Sequence, residues 1–235
     1  MTLNSEIHNN VMLNVLKDIY TDPNVGPYLG FKGGTAALLF YELDRFSVDL
    51  DFDLLNSSKE DELFENVKAI LANHGTVKSA DKKRFNLFFL LSYNGKDLNA
   101  QNVKVEINRR DFGSHYEVKY HLGLPMKVMV KEDVLAHKLV AMKERMGKAS
   151  RDIFDAYFFL KKNWPINKQI VEERTGLPFL TFLDESIAAL EKLDETNILS
   201  GLGELITEKQ KFWVKAKLKS ETLFQLRLLR EYGIT

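Results

Sequence analysis

Residues Phe31 to Leu54 read FKGGTAALLFYELDRFSVDLDFDL and carry a glycine pair followed by alternating aspartates. The pair, Gly33 and Gly34, separates the apolar run 28–31 from the helix-like run 36–42, a pattern that predicts a strand, a turn and a helix. Because glycine has no Cβ, such a turn adopts positive φ and lets a polyphosphate approach its amide groups. The following helix directs its positive end to the same place. We therefore expect an anion site at this corner.

The aspartates lie on a predicted strand over 47–55, where a period of two separates apolar from acidic side chains. One face carries Val48, Leu50, Phe52 and Leu54, and the other carries Asp49, Asp51 and Asp53. Like charges on one face cost folding free energy unless a cation, or a nearby lysine or arginine, neutralises them. Mg²⁺ takes one or two carboxylates together with phosphate oxygens and water, and Asp49 and Asp51 offer that set.

Together, the glycine corner and the acidic strand predict a site for a nucleoside triphosphate and its magnesium ion. Each feature alone has a simpler explanation, because a Gly-Gly turn is common and an aspartate-rich strand end is usually a solvated edge. Their order within one short segment, with a helix between them, favours the functional interpretation.

A third carboxylate follows from a predicted hairpin. The run 84–93, RFNLFFLLSY, is too apolar to alternate, which predicts a strand covered on both faces, and the Asn-Gly pair after it predicts a hairpin turn. The return strand over 103–108 alternates and places Glu106 on its polar face. We expect this strand beside the aspartate strand. The alternative is a solvent-facing Glu106 paired with Lys104 or Arg109.

Charged residues on two predicted helices in the second half of the chain are further candidates. On the helix over 134–146, Lys138, Ala141 and Arg145 share one face, where a small residue between two cations leaves room for a ligand. Asp133 lies at the start of this helix as an N-cap or first-turn acid.

The next predicted helix, over 151–162, carries Asp152 and Asp155 near its start. The two acids share one face because they lie one turn apart. For Asp155 the simpler explanation is an i, i+4 ion pair with Arg151, which stabilises a helix by only about 0.3–0.5 kcal/mol.

The motifs Lys32-Gly33-Gly34-Thr35 and RFSVDLDF, residues 45–52, resemble the signature of the AbiEii/AbiGii toxin family of nucleotidyltransferases, within the DNA polymerase β-like superfamily. The signature covers the first quarter of the chain. The family implies a minimal nucleotidyltransferase fold, metal-dependent nucleotide transfer and a cognate antitoxin in a toxin–antitoxin or phage-defence locus. It also implies that Glu106 completes the metal site.

The segments HKLVA, residues 137–141, and RDIFD, residues 151–155, are similar to later motifs of that family, a lysine and an RDxxD element. By this resemblance Lys138 contacts the triphosphate and Asp152 acts near the acceptor. The family precedent also implies RNA as the acceptor, particularly the acceptor end of tRNA.

Composition bounds the remaining possibilities. The 235 residues include no cysteine, which excludes disulfides and thiolate metal ligands. The chain begins without a basic or apolar leader and has no stretch of membrane-spanning length, so we expect a cytoplasmic protein.

The net charge is zero, yet residues 42–65 hold nine acids and two bases, and residues 127–151 hold seven bases and three acids. This asymmetry suits a nucleotide and a nucleic-acid acceptor.

The expected architecture is α/β (α+β), with a small mixed sheet and flanking helices as a nucleotidyltransferase core over 1–125 and a helical C-terminal domain over 126–235. The expected metal ligands for one or two Mg²⁺ ions are Asp49, Asp51 and Glu106, and the expected nucleotide-binding residues are Lys32, Gly33, Gly34, Thr35, Lys138 and Arg145. Two alternatives stay open: an enzyme that nucleotidylates a small molecule such as an antibiotic, and a binding module that retains NTP without turnover.

Overall fold

The structure is a computed structural model that describes residues 5–93 and 101–233. The chain forms two compact units. The first comprises Met1–Glu42, Phe46–Asp111 and Tyr116–Met129, and the second comprises Leu43–Arg45, Phe112–His115 and Val130–Thr235. The first unit therefore extends four residues beyond the boundary at residue 125 that the sequence suggests.

A seven-stranded mixed sheet and three helices build the first unit. The helices are α1 (Ser5–Thr21), α2 (Gly33–Tyr41) and α3 (Glu60–Ala72); the strands are β1 (Leu29–Lys32), β2 (Asp49–Leu54), β3 (Thr76–Lys82), β4 (Asn86–Tyr93), β5 (Gln101–Asn108), β6 (Tyr116–His121) and β7 (Leu124–Met129). The strand order is β3-β4-β5-β2-β1-β7-β6. β2 runs antiparallel to β1 and parallel to β5, so the aspartate strand lies centrally between them.

One face of the sheet is the core of this unit. Phe31 and Phe52, neighbours across β1 and β2, have ring centroids 5.2 Å apart. Tyr20 from α1 lies over Phe52 at 6.2 Å, and Phe64 from α3 lies over Phe89 at 5.0 Å. Because side chains alternate along a strand, burying this apolar set fixes the register and turns the acidic side chains of β2 to the opposite face.

The second unit is helical within the described ranges. Its helices are α4 (Lys131–Glu144), α5 (Arg151–Lys161), α6 (Lys168–Thr175), α7 (Phe179–Glu191) and α8 (Glu208–Tyr232). Asn167 caps α6, and a capping box formed by Thr207 and Gln210 begins α8. No helix among the residues described has the length and apolar character needed to cross a membrane.

The mixed α/β class and the helical second half are confirmed, as is the pairing of the aspartate strand with the Glu106 strand.

Strands β3 and β7 were not predicted. The expected burial of β4 on both faces is wrong, because alternate residues from Asn86 to Leu90 are only half-buried. α3 begins at Glu60 after a 3-10 turn capped by Asn56. The predicted Asn94-Gly95 turn lies outside the described residues, although β4 and β5 pair as its hairpin requires.

Candidate active site

The glycine corner is a direct passage from strand to helix. β1 ends at Lys32 and α2 begins at Gly33, so no separate turn intervenes, and Gly33 has a φ of +78°. A Cβ on Gly33 would lie 2.8 Å from the Cβ of Asp51 and closer still to its Oδ2. Glycine is therefore required both by the backbone conformation and by the carboxylate packed against it. The corner and the Asp51 side chain lie in direct contact.

Three carboxylates share the polar face of β2 and β5. In the parallel register Asp51 lies beside Glu106 and Asp49 beside Lys104. The Lys104 Nζ lies 3.1 Å from Asp49 Oδ2 and 3.7 Å from Glu106 Oε2. Pairing with Lys104, which the sequence left open as an alternative for Glu106, therefore exists, but the same ammonium also serves Asp49. The ammonium of Lys104 therefore interacts with all three carboxylates, and Lys32 adds a weaker positive influence on Asp51.

The pKa values of this cluster reflect its crowding. Desolvation raises the pKa of Asp51; the ammonium of Lys104 opposes the rise, and the carboxylates of Asp49 and Glu106 add to it. Partial burial would lower the pKa of Lys104, but the three carboxylates outweigh it and raise that pKa. Both shifts have one physical reason, because negative charge is concentrated where water is scarce. The cluster stabilises an added positive charge.

Asp53, the third aspartate of β2, belongs to a separate, satisfied network. Its Oδ1 accepts hydrogen bonds from Lys32 Nζ at 2.5 Å and from Asn108 Nδ2 at 2.6 Å, and its Oδ2 accepts one from the Tyr116 hydroxyl. The Tyr116 ring occupies the space that a side chain on Gly30 would need. Lys32, expected near the phosphates, thus binds Asp53. The two neighbouring aspartates Asp51 and Asp53 have different environments.

The remaining motif residues support the corner through the backbone. Thr35 is buried, and its hydroxyl donates to the carbonyl of Asp49 at 2.5 Å and lies 3.0 Å from the Ser47 hydroxyl. This bond ties the first turn of α2 to the start of β2. No side chain among those described caps the N-terminus of α2. Its first amide groups, including that of Gly34, are the kind that bind anions.

The oxygen donors fit a hard divalent cation. An ammonium held by the same carboxylates marks a place where positive charge is stabilised, and carboxylate oxygens are the ligands that Mg²⁺ prefers. Within the described ranges, no three acidic or histidine side chains are already arranged as a complete metal-binding group. Two carboxylates, Asp49 and Asp51, with the remaining positions left to water and phosphate, are the set that fits.

A cavity of about 300 Å³ opens beside the cluster. Asp51 and Glu106 line it on the acidic side, with Lys32 nearby. Phe85 and Arg110 line another part of its wall. The carboxylates therefore face a space large enough for part of a nucleotide, since ligand sites in proteins are commonly about 300–1,000 Å³.

The second unit contains its own charged cluster. Asp152 and Asp155 are fully buried. Asp155 accepts hydrogen bonds from Arg45 Nε at 2.6 Å and Nη2 at 2.7 Å, and its Oδ2 lies 2.6 Å from Lys138 Nζ. Asp152 Oδ1 accepts from Arg145 Nη2 at 2.8 Å and lies 3.7 Å from Lys138 Nζ.

Three cations, Arg45, Lys138 and Arg145, contact the two carboxylates of this second cluster. Burial alone would raise the pKa of Asp155, but Arg45 and Lys138 together lower it to about 2. Asp155 therefore pairs with these two residues and not with Arg151, the partner four residues earlier that the sequence suggested. The Oδ2 atom of Asp152 is buried and has no hydrogen-bond partner among the residues that the structure describes.

The structure thus brings the predicted residues together in two groups. Gly33, Asp49, Asp51 and Glu106 meet in the first unit, and Lys138, Arg145 and Asp152 meet in the second. Sequence reasoning named Lys104 only as an alternative partner of Glu106 and Arg45 only within the family motif, and it assigned neither a role in the site. Lys104 had a usable signal, because it shares the polar face of its strand with Glu106. Arg45 had none, since it lies 110 residues from Asp155.

Comparison with known proteins gives one family. Residues 14–195 match the model described as nucleotidyl transferase AbiEii toxin, type IV toxin–antitoxin system. A comparison with curated proteins finds no match.

Several solved structures share the fold. JHP933 from Helicobacter pylori is 22% identical, with 99% of this chain and 95% of that chain covered and a TM-score of 0.63. A putative nucleotidyltransferase from H. pylori is also 22% identical, covering 99% and 97% with a TM-score of 0.64. MenT4, a nucleotidyltransferase toxin from Mycobacterium tuberculosis, is 20% identical, covering 94% and 83% with a TM-score of 0.64. At these identities the likeness supports the fold.

Proposed function

The chain belongs to the AbiEii family of nucleotidyltransferase toxins and is a nucleotidyltransferase, and from this premise we propose that it transfers a nucleotide from an NTP to an RNA acceptor at the Gly33–Asp51 corner. One observation carries the proposal: the Asp51 carboxylate packs against the Gly33 backbone, where a side chain would collide with it. A phosphate-binding helix start and a metal-binding acid thereby occupy one place.

Asp49 and Asp51 would hold Mg²⁺, with Glu106 available for a second ion. When bound there, Mg²⁺ would supply positive charge that offsets the negative charge on the α-phosphate and on the departing pyrophosphate. The first amides of α2, at Gly33 and Gly34, bind the phosphates, with Thr35 fixing the corner through its bond to Asp49. Lys32 remains a phosphate ligand in this proposal only if it exchanges Asp53 for the nucleotide.

Residues of the second unit contribute charge. We propose that Lys138 and Arg145 neutralise the triphosphate as the transition state forms, and that Asp152 acts near the acceptor. Support comes from the unpartnered, buried Oδ2 of Asp152. A buried carboxylate oxygen without a hydrogen bond costs about 1–3 kcal/mol or more, which is the kind of cost that functional sites retain.

The acceptor that we propose is RNA, specifically the acceptor end of tRNA, and the reaction then takes place in the cytoplasm. A toxin of a type IV toxin–antitoxin system has a cognate antitoxin, and we extend this to a phage-defence role. The excess of bases over residues 127–151 supports a polyanionic acceptor.

The test is incubation of the protein with each α-labelled NTP, Mg²⁺ and total cellular RNA. We expect label in one RNA class, and we expect Asp49→Asn to reduce incorporation about 100-fold or more. The matched control is Asp81→Asn, an exposed aspartate on the edge strand β3 of the same sheet. Equal labelling by wild type and Asp49→Asn would contradict the proposal. Label found only in small molecules would favour the antibiotic-type enzyme instead.

A further inference from the structure

An exposed aromatic ring lies at the cavity that Asp51 and Glu106 line. Phe85 is the last residue of the β3–β4 connection and is 45% exposed. It lines the same cavity of about 300 Å³ as Asp51 and Glu106. A single exposed phenylalanine is ordinary on a protein surface. One that lines a cavity beside proposed metal ligands has a specific candidate partner, because every nucleobase has a flat face of matching size.

Two guanidinium groups accompany the ring. The guanidinium carbons of Arg84 and Arg110 each lie 4.8 Å from the centroid of Phe85. Arg110 also lines the cavity, and its Nε lies 3.2 Å from the Asn108 side-chain oxygen, which limits the guanidinium's freedom. Phenylalanine and arginine both stack on nucleobases, and a preorganised pair loses little entropy when it does so.

The cavity also contains a group that can contact the edge of a base. Asn86, the next residue, lines it. A carboxamide offers both a donor and an acceptor to the edge of a base. The acidic side of the same cavity holds the phosphate chemistry at Asp51. One cavity thus combines a flat surface, an edge partner and a reaction centre.

We infer that the Phe85–Arg110 pair is a nucleobase-stacking platform of this active site. The inference rests on the proposed function and adds the subsite that holds a base. The base belongs either to the incoming NTP or to the terminal nucleotide of the acceptor; the chemistry of recognition is the same for both.

The test separates base binding from phosphate binding. Dissociation constants are measured with Mg²⁺ for three probes: the α,β-methylene analogues of the four NTPs, a short RNA oligonucleotide, and tripolyphosphate, which has no base. Phe85→Leu removes the aromatic face but keeps an apolar side chain, and Phe85→Trp keeps the face. Phe212→Leu is the control, because Phe212 is 76% exposed on α8 in the other unit.

We expect Phe85→Leu to weaken either the NTP analogues or the oligonucleotide about tenfold, the loss typical of one base–aromatic stack, and to leave tripolyphosphate binding unchanged. The dissociation constants of Phe85→Trp and of Phe212→Leu should stay within about twofold of the wild-type values. The probe whose dissociation constant rises identifies the source of the base. Unchanged binding of both base-containing probes would overturn the inference. An equal loss of affinity for tripolyphosphate would also overturn it.

Failure of the proposed function has a different signature. If the wild-type protein binds neither the analogues nor tripolyphosphate, the assignment of the nucleotide site is wrong. The assignment of the stacking platform is then wrong as well. If wild type binds them and Phe85→Leu binds them equally well, only the platform is wrong.

Discussion

Three carboxylates share one lysine in the first unit, whereas two buried carboxylates share two arginines and a lysine in the second. Asp49, Asp51 and Glu106 surround Lys104, and Asp51 and Glu106 border an open cavity. Asp152 and Asp155 are sealed from solvent among Arg45, Lys138 and Arg145. The first arrangement has an excess of negative charge and room for a ligand, so it costs stability and suits cation binding. The second has three cations for two buried carboxylates, and both oxygens of Asp155 are paired within it.

The largest expected effect is the loss of Asp155. Asp155→Ala removes the carboxylate that Arg45 contacts through two nitrogens and leaves buried positive charge behind. We expect a decrease of about 3–5 kcal/mol in the free energy of unfolding, measured by urea denaturation. Asp184→Ala, which removes an exposed pair with Arg230, should cost less than about 1 kcal/mol. Similar losses in the two variants would show that the buried cluster is not structural.

Acid should remove the same stabilisation. The pKa of Asp155 is lowered from 3.8 to about 2, so its contribution is complete above pH 3.8 and is lost as the pH falls towards 2. Measured as the difference in unfolding free energy between wild type and Asp155→Ala, the contribution should shrink by about 2 kcal/mol between pH 5 and pH 2. A difference that stays constant over this range would contradict the pairing.

A smaller effect is expected at Lys104, which occupies the place of a cation in the first cluster. Replacing it removes a competing positive charge, so Lys104→Met should bind Mn²⁺ about tenfold more tightly, as measured by electron paramagnetic resonance of the free ion. Lys119→Met is the matched control, because both lysine side chains are 28% exposed and Lys119 pairs with Glu117 on the same sheet. Unchanged or weaker Mn²⁺ binding by Lys104→Met would mean that the ammonium does not compete with metal.

The parts of the first cluster that sequence could predict are those governed by local periodicity. Alternation along β2 and β5 assigns Asp49, Asp51 and Glu106 to polar faces whatever the tertiary structure, and the expectation that the two strands are neighbours was confirmed. Even the need for a neutralising charge follows from the pattern. The pattern also offers Lys104 as a partner of Glu106 on the same strand, but its pairing with Asp49 depends on the register between strands that lie far apart in the chain.

The missed features have a common physical cause. β3 is polar and largely exposed at the sheet edge, so it has no apolar alternation to detect. β7 is part of the sheet because it pairs with β1, about a hundred residues earlier in the chain. The ion pair between Arg45 and Asp155 likewise joins distant segments. Helices in the second half were predicted well because their apolar spacing is local.

The most direct measurement compares Asp51→Asn with Asp53→Asn, two neighbours on one strand face with opposite environments. Asp51 is crowded by like charges, so Asp51→Asn should leave the melting temperature unchanged or raise it while pyrophosphate release from NTP falls about 100-fold or more. Asp53 accepts three hydrogen bonds, so Asp53→Asn should lose about 1.5–3 kcal/mol of stability. Full nucleotide transfer by a folded Asp51→Asn protein would contradict the assignment of this corner as the active site.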